Sequence, residues 1–232
     1  MSDIESRHRY PVIDWVRGSA VLLMIVFHCA YDLDGFGLVD IDFSKSPFWF
    51  SLPRLIVTLF LLCVGVCLAI SHKDGIRWPR VKIRFLKIGG WAVVITIVTY
   101  VLFPRNFVFF GILHFIAVAS LLGVFFAGRP VLSLFLGLGM VVSHLLLRPR
   151  ILPLSDWLGV NPMDYVPLYP WFGVVLSGIY CESKGLHRVV MQQGPVGGFV
   201  GFLGRHSLKI YLIHRPLLFG SVFMLQKLGF SN

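Results

Sequence analysis

Apolar residues come in long unbroken runs in this chain, and polar residues gather between the runs. Seven stretches, roughly 12–32, 48–71, 86–103, 108–127, 131–147, 166–182 and 207–227, are rich in Leu, Val, Ile and Phe and show no period-2 alternation. Runs of this kind predict helices that cross a hydrocarbon core about 30 Å thick, because a spanning segment must satisfy its backbone hydrogen bonds internally. The strands of a membrane barrel would alternate instead. The expected fold class is therefore all-α, a polytopic membrane helix bundle of about seven transmembrane helices, the first and fifth short for a full crossing. No linker divides it, and residues 1–232 read as one transmembrane domain.

The exceptions to the apolar pattern are concentrated in the first run, Tyr10 to Leu33, which carries Asp14 and Arg17 at one end and His28 and Asp32 at the other. At 100° per residue, Asp14, Arg17 and His28 fall within roughly 60° of one another, and Asp32 lies one turn beyond His28. A charge at mid-bilayer costs at least about 2.5 kcal/mol, so this polar stripe is expected to face a protein interior or a wet cleft and to form the inner wall of an active site. Arg7 and Arg9 before the run resemble the start of a signal peptide. The charges inside it, the lack of a small-residue cleavage site and the spans that follow argue for a retained helix.

Composition agrees with a membrane protein: 56% hydrophobic and 14% charged residues exclude an ordinary soluble domain. Charge placement sets the orientation. The connection from His72 to Lys87 carries Lys73, Arg77, Arg80, Lys82, Arg84 and Lys87, whereas the loop after the first run carries Asp32, Asp34, Asp40 and Asp42. Lys and Arg stay on the cytoplasmic side, which puts the N-terminus inside and the C-terminus outside. The net charge of +10 is then explained by attraction to anionic lipid of the bilayer, and no nucleic acid is expected as a partner. Cys29, Cys63, Cys67 and Cys181 lie in or beside apolar runs, so neither a disulfide framework nor a metal site is indicated.

Four residues are candidates for catalysis. His28 lies about 6 Å inside the outer end of the first helix and His114 about 10 Å inside that of the fourth, so the two reach one depth. Imidazole suits the removal of a proton from an amine or hydroxyl near neutral pH, with a carboxylate such as Asp32 to orient it. In the last run Tyr211 and His214 share a face, and Pro216 is expected to kink the helix and free a carbonyl near Tyr211 or Leu212. Arg215 either pairs with a bundle carboxylate such as Asp14 or Asp32 or binds a ligand. Arg17 and Arg205, with Asp14, Tyr211 and Arg215, are candidates for holding an anionic cosubstrate, and Asp164 and Trp171, at the outer end of the sixth run, for the acceptor. The proline-rich interval from Arg148 to Tyr165 is expected to fold over the outer mouth, and Ser183 to Gly204 to form a cytoplasmic loop, either irregular or carrying part of the last helix's start.

Five segments, R-x-x-x-I-D-x-x-R-G-x-A-x-x-L-M-x-x-F-H from Arg9 to His28, LFLLCVG at 59–65, GILHFI at 111–116, PLYPWFGV at 167–174 and LGRHSLKIYLIHRP at 203–216, occur in an order that resembles the bacterial membrane proteins grouped with the catalytic domain of heparan-α-glucosaminide N-acetyltransferase. The resemblance implies a transmembrane acyltransferase of the bacterial inner membrane. Such an enzyme takes an acyl group, typically acetyl, from cytoplasmic acyl-CoA to a sugar or glycan amine or hydroxyl on the other side, with acetyl-CoA a cosubstrate and not a tightly bound cofactor. It also implies a histidine-dependent transfer, with His28 in the place where related acyltransferases of surface polysaccharides keep a histidine. The lysosomal relative's proposed acetyl-carrying histidine lies in the following loop, and no histidine stands between His28 and His72 here. With seven runs where larger relatives have ten or more, the catalytic unit is either a compact monomer or a homodimer.

The expected roles are His28 as general base, Asp32 as its partner, and His114 and His214 polarising the acyl carbonyl or placing the acceptor. A transporter or flippase of a polar small molecule would use the same His, Asp and Arg as a proton relay, but would be expected to show paired repeats with matching broken helices. A non-catalytic envelope scaffold is the third class.

Overall fold

Long apolar sequences leave the backbone no partner but itself, and the chain answers with helices throughout. The computed structural model describes residues 10–147, 162–189 and 194–229. Among them are eight α-helices: α1 (Pro11–Gly35), α2 (Pro47–His72), α3 (Trp78–Leu102), α4 (Ile112–Gly123), α5 (Pro130–Leu147), α6 (Leu168–Ser183), α7 (Pro195–Arg205) and α8 (Ser207–Lys227). A single 3-10 turn, Leu186–Arg188, precedes α7. Proline opens α1, α2, α5 and α7 and is the second residue of α3, positions where its missing N–H leaves no intrahelical bond unmade.

Each of the seven apolar runs contains a helix, but only α1, α2, α3, α5 and α8 are long and apolar enough to cross a membrane. The fourth run yields 12 helical residues, because its first residues are spent on a loop tied to α3 and its last on turns after Gly123. The sixth yields 16, its first turn broken by a non-helical Tyr169 before Pro170. The expected cytoplasmic loop from Ser183 to Gly204 instead contains α7. Glycines at 197, 198, 201 and 204 weaken its intrinsic helix preference, and packing against α1 outweighs that loss. Most of the proline-rich interval from Arg148 lies outside the described residues.

The chain divides into two compact units, Met1–Phe60 with His187–Asn232, and Leu61–Leu186. In the first, α1 packs against both α7 and α8. Gly18 sits against the backbone carbonyl of Val200, Gly204 against the carbonyl of Asp14, and Gly197 against the ring of Trp15, contacts that a side chain at any of the three would prevent. This is the small-residue device by which membrane helices approach closely. Met24, Leu52 and Ile56 form a buried apolar cluster joined by Leu23, Phe27, Trp49, Phe60 and Tyr211, which sets α8 beside α1 and the first half of α2. Farther along, Gln226 donates to the Phe36 carbonyl at 3.2 Å, and Phe36 meets the rings of Phe219 and Phe223.

The second unit uses the same device. Gly137 of α5 and Gly173 of α6 lie against each other, as do Gly65 of α2 and Gly178 of α6, around a cluster of Ala69, Leu176 and Ile179. α3 packs on α4 but leaves most of its apolar surface outward, Leu86, Ile97 and Val101 among the exposed residues. An outward apolar face of that extent is stable against lipid tails.

Candidate active site

The first unit brings His28 and Asp32 of α1 together with His214 and Arg215 of α8. The residues of each pair fall on the helix face turned toward the other helix: His28 and Asp32 are four apart, and His214 and Arg215 are adjacent. Arg215 Nη1 donates to Asp32 Oδ1 at 2.7 Å, an ion pair in which the Asp32 side chain is 4% exposed and that of Arg215 32%. The same nitrogen lies 3.4 Å from His28 Nδ1. A guanidinium can only donate, so His28 Nδ1 accepts and the neutral ring carries its hydrogen on Nε2. Asp32 thus partners Arg215 and reaches His28 only through it, not directly as the sequence suggested. Of the two carboxylates expected to pair with Arg215, Asp32 is the one in contact.

The rings of His28 and His214 stand 5.0 Å apart at 48°. His214 Nδ1 is 2.7 Å from the carbonyl oxygen of Tyr211. A carbonyl can only accept, so Nδ1 donates and the lone pair of His214 lies on Nε2. That Nε2 is buried without a hydrogen-bond partner, as is the second carboxylate oxygen of Asp32. Tyr211 contributes its carbonyl and a ring 5.5 Å from that of His214. Pro216 stands inside a continuous α8, and the carbonyl near it that finds a side-chain donor is Tyr211's.

Arg17 and Asp14 lie on the same helix, eleven and fourteen residues before His28, which places Arg17 about 16 Å from it along the axis. Both are half-buried. Asp14 presents its carbonyl to Gly204 at the end of α7, and the guanidinium of the exposed Arg205 lies over Gly201. Of the five candidates for an anionic cosubstrate, Asp14, Arg17 and Arg205 therefore sit at the α1–α7 crossing, whereas Tyr211 and Arg215 lie with His28 and His214.

His114, Asp164 and Trp171 belong to the second unit. Thr96 of α3 donates to the Val108 carbonyl at 2.7 Å and lies 3.1 Å from His114 Nε2. With its one hydrogen spent on Val108, the threonine oxygen accepts from Nε2, leaving His114 Nδ1 as a buried acceptor without a partner. Thr99, one turn on, accepts from the Val108 N–H at 3.0 Å, so two threonines hold the loop that leads into α4. Asp164 accepts from the Ile112 N–H at 3.3 Å, at the first residue of α4. Burial pushes its carboxyl up from the usual range, partly opposed by that N–H. Trp171 is half-buried in α6. The residues not singled out in the sequence are Thr96 and the α7 glycines. The glycines had a readable signal, Gly197-x-x-x-Gly201, whereas a threonine on an apolar helix gives none.

An all-helical fold with five membrane-length helices among the described residues defines a polytopic membrane protein. Residues 9–216 match the family model of the heparan-alpha-glucosaminide N-acetyltransferase catalytic domain, and the chain belongs to that family of membrane acetyltransferases. No curated protein and no solved structure matches it.

Proposed function

We propose that this protein transfers an acyl group, acetyl in the first instance, from cytoplasmic acyl-CoA to an amine or hydroxyl of a sugar or glycan on the outer side of a bacterial inner membrane. The observation that carries the reading is the cluster of His28, Asp32, His214 and Arg215, in which two buried acceptors, His214 Nε2 and Asp32 Oδ2, have no donor. Buried polar atoms are nearly always paired, so the group that completes this site brings hydrogen-bond donors, as an amine or a hydroxyl does. Arg17 and Arg205, at the other end of α1, suit the phosphates of CoA, whose pantetheine arm separates them from the thioester. The acetyl-CoA is a cosubstrate that comes and goes, and the working unit is a monomer or a homodimer in the bilayer.

The test is incorporation of labelled acetyl from acetyl-CoA into a panel of amino sugars and glycosides by the purified protein in lipid nanodiscs. Transfer by the wild type, abolished in the His28→Ala/His214→Ala double variant, is expected. No incorporation into any acceptor, or equal incorporation by the double variant, would remove the assignment.

A further inference from the structure

The two histidines of the first unit are held in opposite tautomers by partners that leave no choice. Arg215 can only donate, and it faces His28 Nδ1; the Tyr211 carbonyl can only accept, and it faces His214 Nδ1. One ring therefore keeps a hydrogen on Nε2, and the other keeps a lone pair there, buried and unpartnered. We propose that His214, not His28, is the general base of the acyl transfer, and that His28 serves as the hydrogen-bond donor to the oxyanion.

This division of roles rests on the acyltransfer reading and deepens it. The acceptor's amine or hydroxyl attacks the thioester carbonyl carbon, and its proton passes to His214 Nε2. The electron pair displaced from the carbonyl settles on its oxygen, which takes a hydrogen bond from His28 Nε2–H. The Arg215 guanidinium donates to His28 Nδ1, which holds the ring's hydrogen on Nε2 and polarises that N–H toward the oxyanion. Collapse re-forms the carbonyl and breaks the carbon–sulfur bond. The CoA thiolate leaves with the proton returned from His214, so the products are the acylated acceptor and free CoA thiol. The Tyr211 carbonyl keeps the His214 ring oriented through both proton movements, the task a carboxylate performs in many acid–base pairs.

The groups facing His214 are few. From α1 it is His28, with Asp32 behind it on Arg215, and from its own helix Tyr211 and Arg215; the α2 residues packed with Tyr211, Leu52 and Ile56 with Trp49 and Phe60, are apolar or aromatic. Arg205 and His206, where α7 meets α8, are eight or more residues away along the helix, about 12 Å. Lys209, five residues before His214 on the same helix, is exposed, and Arg215 is the cation in contact with the histidine pair among the described residues.

The test combines 15N-histidine NMR of the full chain in nanodiscs with pH–rate profiles. The His28 and His214 signals are assigned by their loss in His28→Gln and His214→Gln. The neutral forms are expected to show hydrogen on Nε2 of His28 and on Nδ1 of His214. His214→Gln is expected to lower kcat by about 10²- to 10⁴-fold and to abolish the rise of rate with pH at the acidic end, which His28→Gln keeps. Transfer by the wild type with the tautomers reversed, or with the acidic limb surviving in His214→Gln, overturns the assignment and leaves acyl transfer standing. The expected tautomers without transfer from any acyl-CoA would overturn both.

Discussion

Arg215 holds two relationships with one nitrogen, and removing it exposes both. In Arg215→Gln the Asp32 carboxylate, nearly inaccessible, loses its cation. The expected cost is about 2 kcal/mol, below the full figure for a buried pair because Arg215 keeps a third of its surface exposed. Thermal unfolding in detergent should show the loss, and adding Asp32→Asn should recover part of it, since no lone charge is then left behind; additive losses would contradict the pairing. The same residue shows where sequence reading stops. Helical periodicity grouped Asp14, Arg17, His28 and Asp32 on one side of the first helix, and left Arg215 as either the partner of a carboxylate or a ligand-binding group. Which carboxylate, and that His28 meets the arginine and not Asp32, depends on the relative rotation of α1 and α8, which periodicity within one helix does not contain. The His214 tautomer was out of reach too, because a backbone carbonyl sets it.

At the scale of elements, α1 is located by contacts that only glycine permits. Gly18→Leu would drive a side chain into the Val200 backbone, and Gly198→Ala, two residues before Val200 on α7, would meet nothing. The first is expected to cost about 3 kcal/mol or more. The second should be neutral or gain up to about 1 kcal/mol, as alanine is the better helix former. Unfolding midpoints that fail to separate the two would contradict the α1–α7 crossing. In the second unit, Asp164 ties the start of α4 to the segment before α6. Its raised carboxyl means that the folded state binds a proton more tightly than the unfolded one, so ionisation works against folding as pH rises from the ordinary aspartate value through the raised one. Asp164→Asn removes that penalty and keeps an acceptor for Ile112. The stability gap between variant and wild type should therefore widen toward neutral pH and close in acid; a gap independent of pH would contradict it. Apolar run length predicted that these helices exist but overstated α4 and α6, whose ends are consumed by loop ties and prolines.

For the whole molecule, the positions of Lys and Arg carry a topology that helix packing does not test. Placing the His72–Lys87 connection on the cytoplasmic side predicts that Lys82→Cys, in a background lacking the four native cysteines, reacts with an impermeant maleimide only after cell lysis, whereas Lys45→Cys reacts in intact spheroplasts. The reverse pattern would invert the chain and put the histidines at the wrong face for an outer acceptor. α7 is the element that whole-chain reading by hydropathy missed, since its glycines read as a loop until their partner on α1 is known. The most direct measurement of the central claim is release of free CoA thiol from acetyl-CoA in the presence of an amino-sugar acceptor, comparing wild type, His214→Gln and the fold-neutral Gly198→Ala. The account predicts equal rates for wild type and Gly198→Ala, with His214→Gln at least about 10²-fold slower. Equal rates in all three would contradict it.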